Sequence, residues 1–237
     1  HRDLHPFPTR RSSDLFPAYP LEHGAPGGLP LIGFPEISMY TASPWGGYGA
    51  NPLPHHLQSL WEAPKHVLAG GFPYSEGIYE DLNKAICAQL YWDADQPCAE
   101  TVRAYLTYEL GPAAAEPMLA AVEIMERTLA RGIRRTEQGY RFPLACTDGV
   151  DECWRLAQEA QRLLPATLHT SWRWRVLYLR ALIDYELAHH DFETSERCEQ
   201  AFQELTAIYH AEGASLWVAP PTRAALAAKR EAQYLDV

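Results

Sequence analysis

The sequence predicts a predominantly α-helical protein: a remnant of a (β/α)8-type barrel over residues 16–111, followed by an all-helical domain over residues 112–237. Three observations predict it. Two short apolar runs, Leu29–Met39 and His66–Tyr74, are each followed by a loop and then a segment of helical periodicity. A carboxylate, Glu36 or Glu76, sits at the end of each run. From about residue 98 onward apolar residues recur every three to four positions, with turn signals between the segments.

Taken in order, Pro35 limits the first run, because proline cannot donate to a strand ladder. A loop rich in glycine, proline and asparagine follows, carrying Trp45 and Tyr48. Pro54 suits a first helical turn, Leu57, Leu60 and Trp61 fall on one face, and Pro64 ends that helix. After the second run, Ser75 is placed to cap a helix whose buried stripe is Leu82, Ile86, Cys87 and Leu90. Glu76, Glu80 and Asp81 favour its positive N-terminal end. A helix ends at Gly111-Pro112, and another runs to about Arg131. Residues 132–148 read as a connection, and everything beyond reads as helical: about 150–164, 168–190, 195–212, and a tail helix from about Pro221. The second of these is apolar nearly all round, the pattern of a central helix.

Charge and cysteine usage narrow the function. The net charge is −10, and residues 1–15 carry +1 of it, so the rest of the chain is −11. An acidic chain with no basic block is a poor partner for nucleic acid or an anionic membrane. No apolar run is long enough to span a bilayer. Five cysteines without a CxxC pair make neither a disulfide framework nor a zinc site, so no metal is expected. The GGYGAN loop has no following Lys-Ser/Thr, and no cofactor is expected. The adjacent pairs His55-His56 and His189-His190 point to different helix faces and suit helix ends better than a shared ion. Residues His5–Leu15 resemble the in-frame translation of a sequencing adapter, so an artefactual leader is expected over residues 1–15. The sequence assigns neither compartment nor oligomeric state.

Carboxylates after neighbouring parallel strands suit glycoside cleavage, which needs two of them across the scissile bond, roughly 5–5.5 Å apart for retention and 6.5–9.5 Å for inversion. On this reading Glu76 and Glu36 are the catalytic candidates. Trp45, Tyr48 and Tyr74 are the substrate-binding candidates, since aromatic faces stack on sugar rings. The competing reading makes Glu76 a helix-dipole carboxylate and Trp45 a plug.

The layout of residues 29–111, with the phrase QLYWDADQPCAETVRAYLTYELG, resembles the last two βα units of bacterial alpha-glucuronidases. Residues Tyr74–Asn83 resemble the Pro-Glu-Gly loop of alpha-N-acetylglucosaminidases, whose glutamate is catalytic; the resemblance gives that role to Glu76. The alpha-glucuronidase carboxylate of the penultimate strand falls opposite Met39 rather than Glu36. The resemblance implies a glycoside hydrolase acting on glycan ends, with carbohydrate as partner, and a fragment inactive alone. The alternatives are a non-catalytic helical scaffold and a carbohydrate-binding module.

Overall fold

A computed structural model describes residues 18–37, 49–75, 77–132, 134–136, 139–141 and 143–209. The adapter-like leader, Trp45, Tyr48, Glu76 and the helix expected from about Pro221 lie outside the described residues. The described chain is predominantly helical. Its elements are α1 (Ala18–His23), β1 (Leu31–Gly33), α2 (Pro54–Glu62), β2 (Leu68–Gly71), α3 (Asp81–Trp92), α4 (Cys98–Leu110), α5 (Pro112–Arg127), β3 (Arg134–Thr136), β4 (Gly139–Arg141), α6 (Val150–Leu163), α7 (Trp172–His189) and α8 (Glu196–Tyr209).

The two strand–loop–helix units form as expected, and β1 pairs with β2 in parallel. The ladder outruns the strands. Phe72 N–H donates to the Gly33 carbonyl at 3.0 Å, Tyr74 N–H to Pro35 at 2.8 Å, and Ile37 N–H to Tyr74 at 3.0 Å. Pro35 therefore does not end the pairing; it joins the ladder through its carbonyl alone.

The two faces of the sheet differ in cover. Strand alternation turns Gly33 and Leu68 toward α2 and α3, while Ile32, Phe34, Phe72 and Tyr74 are exposed. Among the described residues no third strand joins this sheet. The connection at 132–148 also differs from expectation, because β3 and β4 make an antiparallel hairpin within it.

The helical part follows its periodicity. Met118, Ala121, Val122 and Met125 of α5 meet Cys153, Ala157 and Ala160 of α6 in a continuous core that also takes in α7 and reaches Ile37 and Leu57 near the sheet. Arg180 at the centre of α7 is enclosed in this core. It is 1 % exposed, donating to Asp184 at 2.7 Å and to the Ala50 carbonyl at 2.8 Å, while Arg131 donates to the other Asp184 oxygen at 2.6 Å. Arg173 and Arg175 pair with Asp81 and Glu204. The cysteines are free thiols; Cys87, Cys98, Cys153 and Cys198 are buried and Cys146 is half-buried. Burial pushes the Cys87 thiol up to about 12, so it is inert as a nucleophile near neutral pH.

Candidate functional site

The site is built where β1 and β2 end. Residues 32, 34 and 36 alternate onto one face, where Ile32 and Phe34 are exposed and Glu36 is half-buried. Glu36 bridges Tyr74 across the parallel ladder, which sets the two residues side by side. Phe34 packs against Phe72 with ring centroids 4.8 Å apart and against Tyr74 at 5.8 Å, edge-on. Two of the sequence-predicted residues, Glu36 and Tyr74, are thus brought together. Glu76, Trp45 and Tyr48 lie outside the described residues. Phe34 and Phe72 were missed as site residues, because an apolar run does not reveal which of its faces is covered.

One buried amide holds this end of the sheet. Asn83 of α3 is fully buried; its Nδ2 donates to the Ile37 carbonyl at 3.1 Å and the Asn51 carbonyl at 3.0 Å, and its Oδ1 accepts from Leu53 N–H at 2.9 Å. It therefore ties the residue after Glu36 to the loop that leads into α2.

The turn between Tyr74 and α3 departs from expectation. Ser75 does not cap α3. The helix begins at Asp81, with Glu80 at its N-cap and no side-chain cap bond. Glu80 does not project toward solvent to complement the dipole; it is 1 % exposed. Ser75 Oγ lies 2.9 Å from Glu80 Oε2 and 3.1 Å from the Gly77 carbonyl, and it accepts from Gly77 N–H at 3.3 Å. Lys84 also donates to the Gly77 carbonyl. Burial pushes the Glu80 carboxyl above the ordinary glutamate range; the Ser75 hydroxyl, Lys84 and backbone N–H groups pull it the other way, by less. Behind the turn, burial likewise raises Tyr79, whose hydroxyl donates to the Leu205 carbonyl at 2.9 Å.

Chemically, the strand ends offer a carboxylate beside a patch of three aromatic rings on an open face. A cavity of about 50 Å³ lies between the sheet end and the helices, lined by Phe34 and Pro35 on one side and by Leu57, Leu60, Cys87 and Tyr91 on the other. It is apolar and far below the ~300 Å³ at which ligand pockets begin. Among the described residues no group of three His, Cys, Asp or Glu side chains could hold a metal ion, and no helix is long and apolar enough to cross a membrane. Comparison with protein-family models, with curated proteins and with solved structures found no match for the chain.

Proposed function

We propose that the chain supplies one part of the active site of a glycoside hydrolase acting on glycan ends, and that it is inactive alone. In this reading β1–α2 and β2–α3 are two βα units of a larger barrel. Glu36 and Glu76 are its strand-end carboxylates, and carbohydrate is the partner. The observation that carries the reading is the parallel pairing that sets Glu36 beside Tyr74, above Phe34 and Phe72, at the C-terminal ends of both strands. Barrel enzymes keep their chemistry at that end. Sugar rings stack their apolar faces on such aromatics, and a carboxylate takes their hydroxyls. The uncovered sheet face also supports the reading, since it is the face that further βα units would close.

The test is titration of the purified chain with a panel of mono- and oligosaccharides, followed by protein NMR, alongside an aryl-glycoside hydrolysis assay. The expected result is saturable binding with shifts at Phe34, Phe72 and Tyr74, weakened by Tyr74→Ala, with no turnover. Turnover by the chain overturns the claim that it is inactive alone. Absence of binding to every sugar tried overturns the carbohydrate reading and favours a helical scaffold.

The aromatic patch by itself also favours a non-catalytic carbohydrate-binding module. In a longer polypeptide containing this chain, Glu76→Gln separates the two readings: in an enzyme only turnover collapses, whereas in a binding module nothing is turned over to begin with.

A further inference from the structure

The buried carboxyl of Glu80 poses a proton-counting problem. A serine hydroxyl has one proton to give and two lone pairs to accept with. Ser75 Oγ lies within hydrogen-bond distance of two acceptors, Glu80 Oε2 and the Gly77 carbonyl, and already accepts from Gly77 N–H. If Glu80 is ionised, the Ser75 proton can serve only one of the two acceptors. If Glu80 carries a proton on Oε2, it donates to Ser75, Ser75 donates to Gly77, and every contact is satisfied. The second carboxyl oxygen points the same way. Glu80 Oε1 is buried and has no hydrogen-bond partner, a costly place for a carboxylate oxygen and a cheaper one for the carbonyl oxygen of a neutral acid.

We propose that Glu80 is the positioning residue of the β2 end: as a neutral carboxylic acid it heads the chain Glu80 O–H to Ser75 O–H to Gly77 carbonyl, and this chain fixes the backbone on both sides of Glu76. The titratable groups facing Glu80 are Lys84 on α3, Tyr79 in the turn and, behind Tyr79, Tyr209 on α8. Lys84 favours the ionised form, but its ammonium donates to the Gly77 carbonyl rather than to Glu80, so the carboxyl has no direct cationic partner, only the Ser75 hydroxyl and the backbone N–H groups of Gly77 and Glu80. Gly77 is confined as well, because a Cβ there would run into the Tyr209 ring. The proton chain stands on this geometry alone, and its meaning for catalysis rests on the hydrolase reading.

Two measurements on the full chain test it. The Glu80 side-chain carboxyl carbon, assigned by its loss in Glu80→Gln, is followed by NMR against pH. The protection factor of the Gly77 amide is followed over the same range in wild type, Glu80→Gln, Glu80→Ala and Ser75→Ala. Glu80 is expected to titrate above the exposed glutamates, and Gly77 protection to fall about tenfold across that titration, on the scale of one lost hydrogen bond. Glu80→Gln keeps a neutral donor, so it should hold Gly77 protected with no pH step. Glu80→Ala should leave it unprotected throughout. Should Glu80→Ala not fold, Ser75→Ala, at a half-buried position, tests the same chain by removing the step while Glu80 still titrates high. A Glu80 carboxyl that titrates with the exposed glutamates overturns the proposal, as does a Gly77 amide that Glu80→Gln exposes. If both measurements come out as expected and no sugar binds, the hydrolase reading falls and the proton chain stands.

Discussion

Glu126 of α5 does for α2 what the helix's own N-cap residue cannot. Leu53 has no side-chain acceptor, and the two carboxylate oxygens of Glu126 instead take His55 N–H at 3.0 Å and His56 N–H at 2.8 Å. Nothing in the sequence around α2 reveals a cap that comes from 70 residues away. Glu126→Ala is expected to destabilise the protein by about 1–3 kcal/mol, the range for a lost cap and for hydrogen bonds to a charged group. Urea unfolding measures this; a change below the error of the method would mean that water replaces the cap without loss. Asn83 is the stronger case, because it is fully buried and none of its three partners faces solvent in its place. Asn83→Ala should cost at least about 2 kcal/mol, since it strands buried backbone groups. It should also shift the NMR signals of Ile37 and Leu53 together. Both residues are polar side chains whose partners are distant in sequence, so periodicity identified their helices but not their roles. Glu80 is at the helix start that the sequence indicates, but its burial is a property of distant neighbours and is not legible there.

At the scale of the element, the sheet rests on close backbone approach. A Cβ at Gly71 would lie 2.5 Å from the Tyr91 hydroxyl and 2.6 Å from the Gly33 carbonyl. The first contact is with the tip of a side chain and the second with the neighbouring strand. Gly71→Ala is therefore expected to cost about 1–3 kcal/mol by overpacking, and Tyr91→Phe in the same chain should not restore the loss, because the Tyr91 ring carbon Cζ, also 2.6 Å away, and the carbonyl both remain. A double-mutant cycle decides it: full rescue by Tyr91→Phe would place the strain on the hydroxyl alone rather than on the ring or the strand pairing. The apolar runs and the helices that follow them were legible, since each combines a strand-length run with a 3.6-residue pattern. The β3–β4 hairpin was not. Its strands, Arg134–Thr136 and Gly139–Arg141, are three residues each and carry no apolar alternation to betray them.

For the molecule as a whole, the distribution of contacts predicts a gradient of stability. The helices α5, α6 and α7 share a core in which Met118, Met125, Ala157, Ala160, Trp174 and Ile183 are completely buried. Opening any of them exposes apolar surface at about 25 cal/mol per Å². The same core holds Arg131, Arg180 and Asp184, so local opening there would also break a buried ion network whose halves do not tolerate separation. The β1–β2 pair has no such protection. On one of its faces Phe34 and Phe72 are each 58 % exposed and Tyr74 is 40 % exposed, and the three rings pack on each other. Sequence periodicity conveyed where the helices lie; it could not convey this imbalance, because cover is a property of neighbours and not of the run itself. Native-state hydrogen exchange should therefore find the Phe72 and Tyr74 amides opening in a sub-global event well below the free energy of the α5–α7 amides. A ligand seated on the open face, or further strands beside it, should raise the first set toward the second and leave the second set where it is. Equal opening energies in the free chain would mean that the sheet folds as one unit with the helical core, and that its uncovered face costs it nothing.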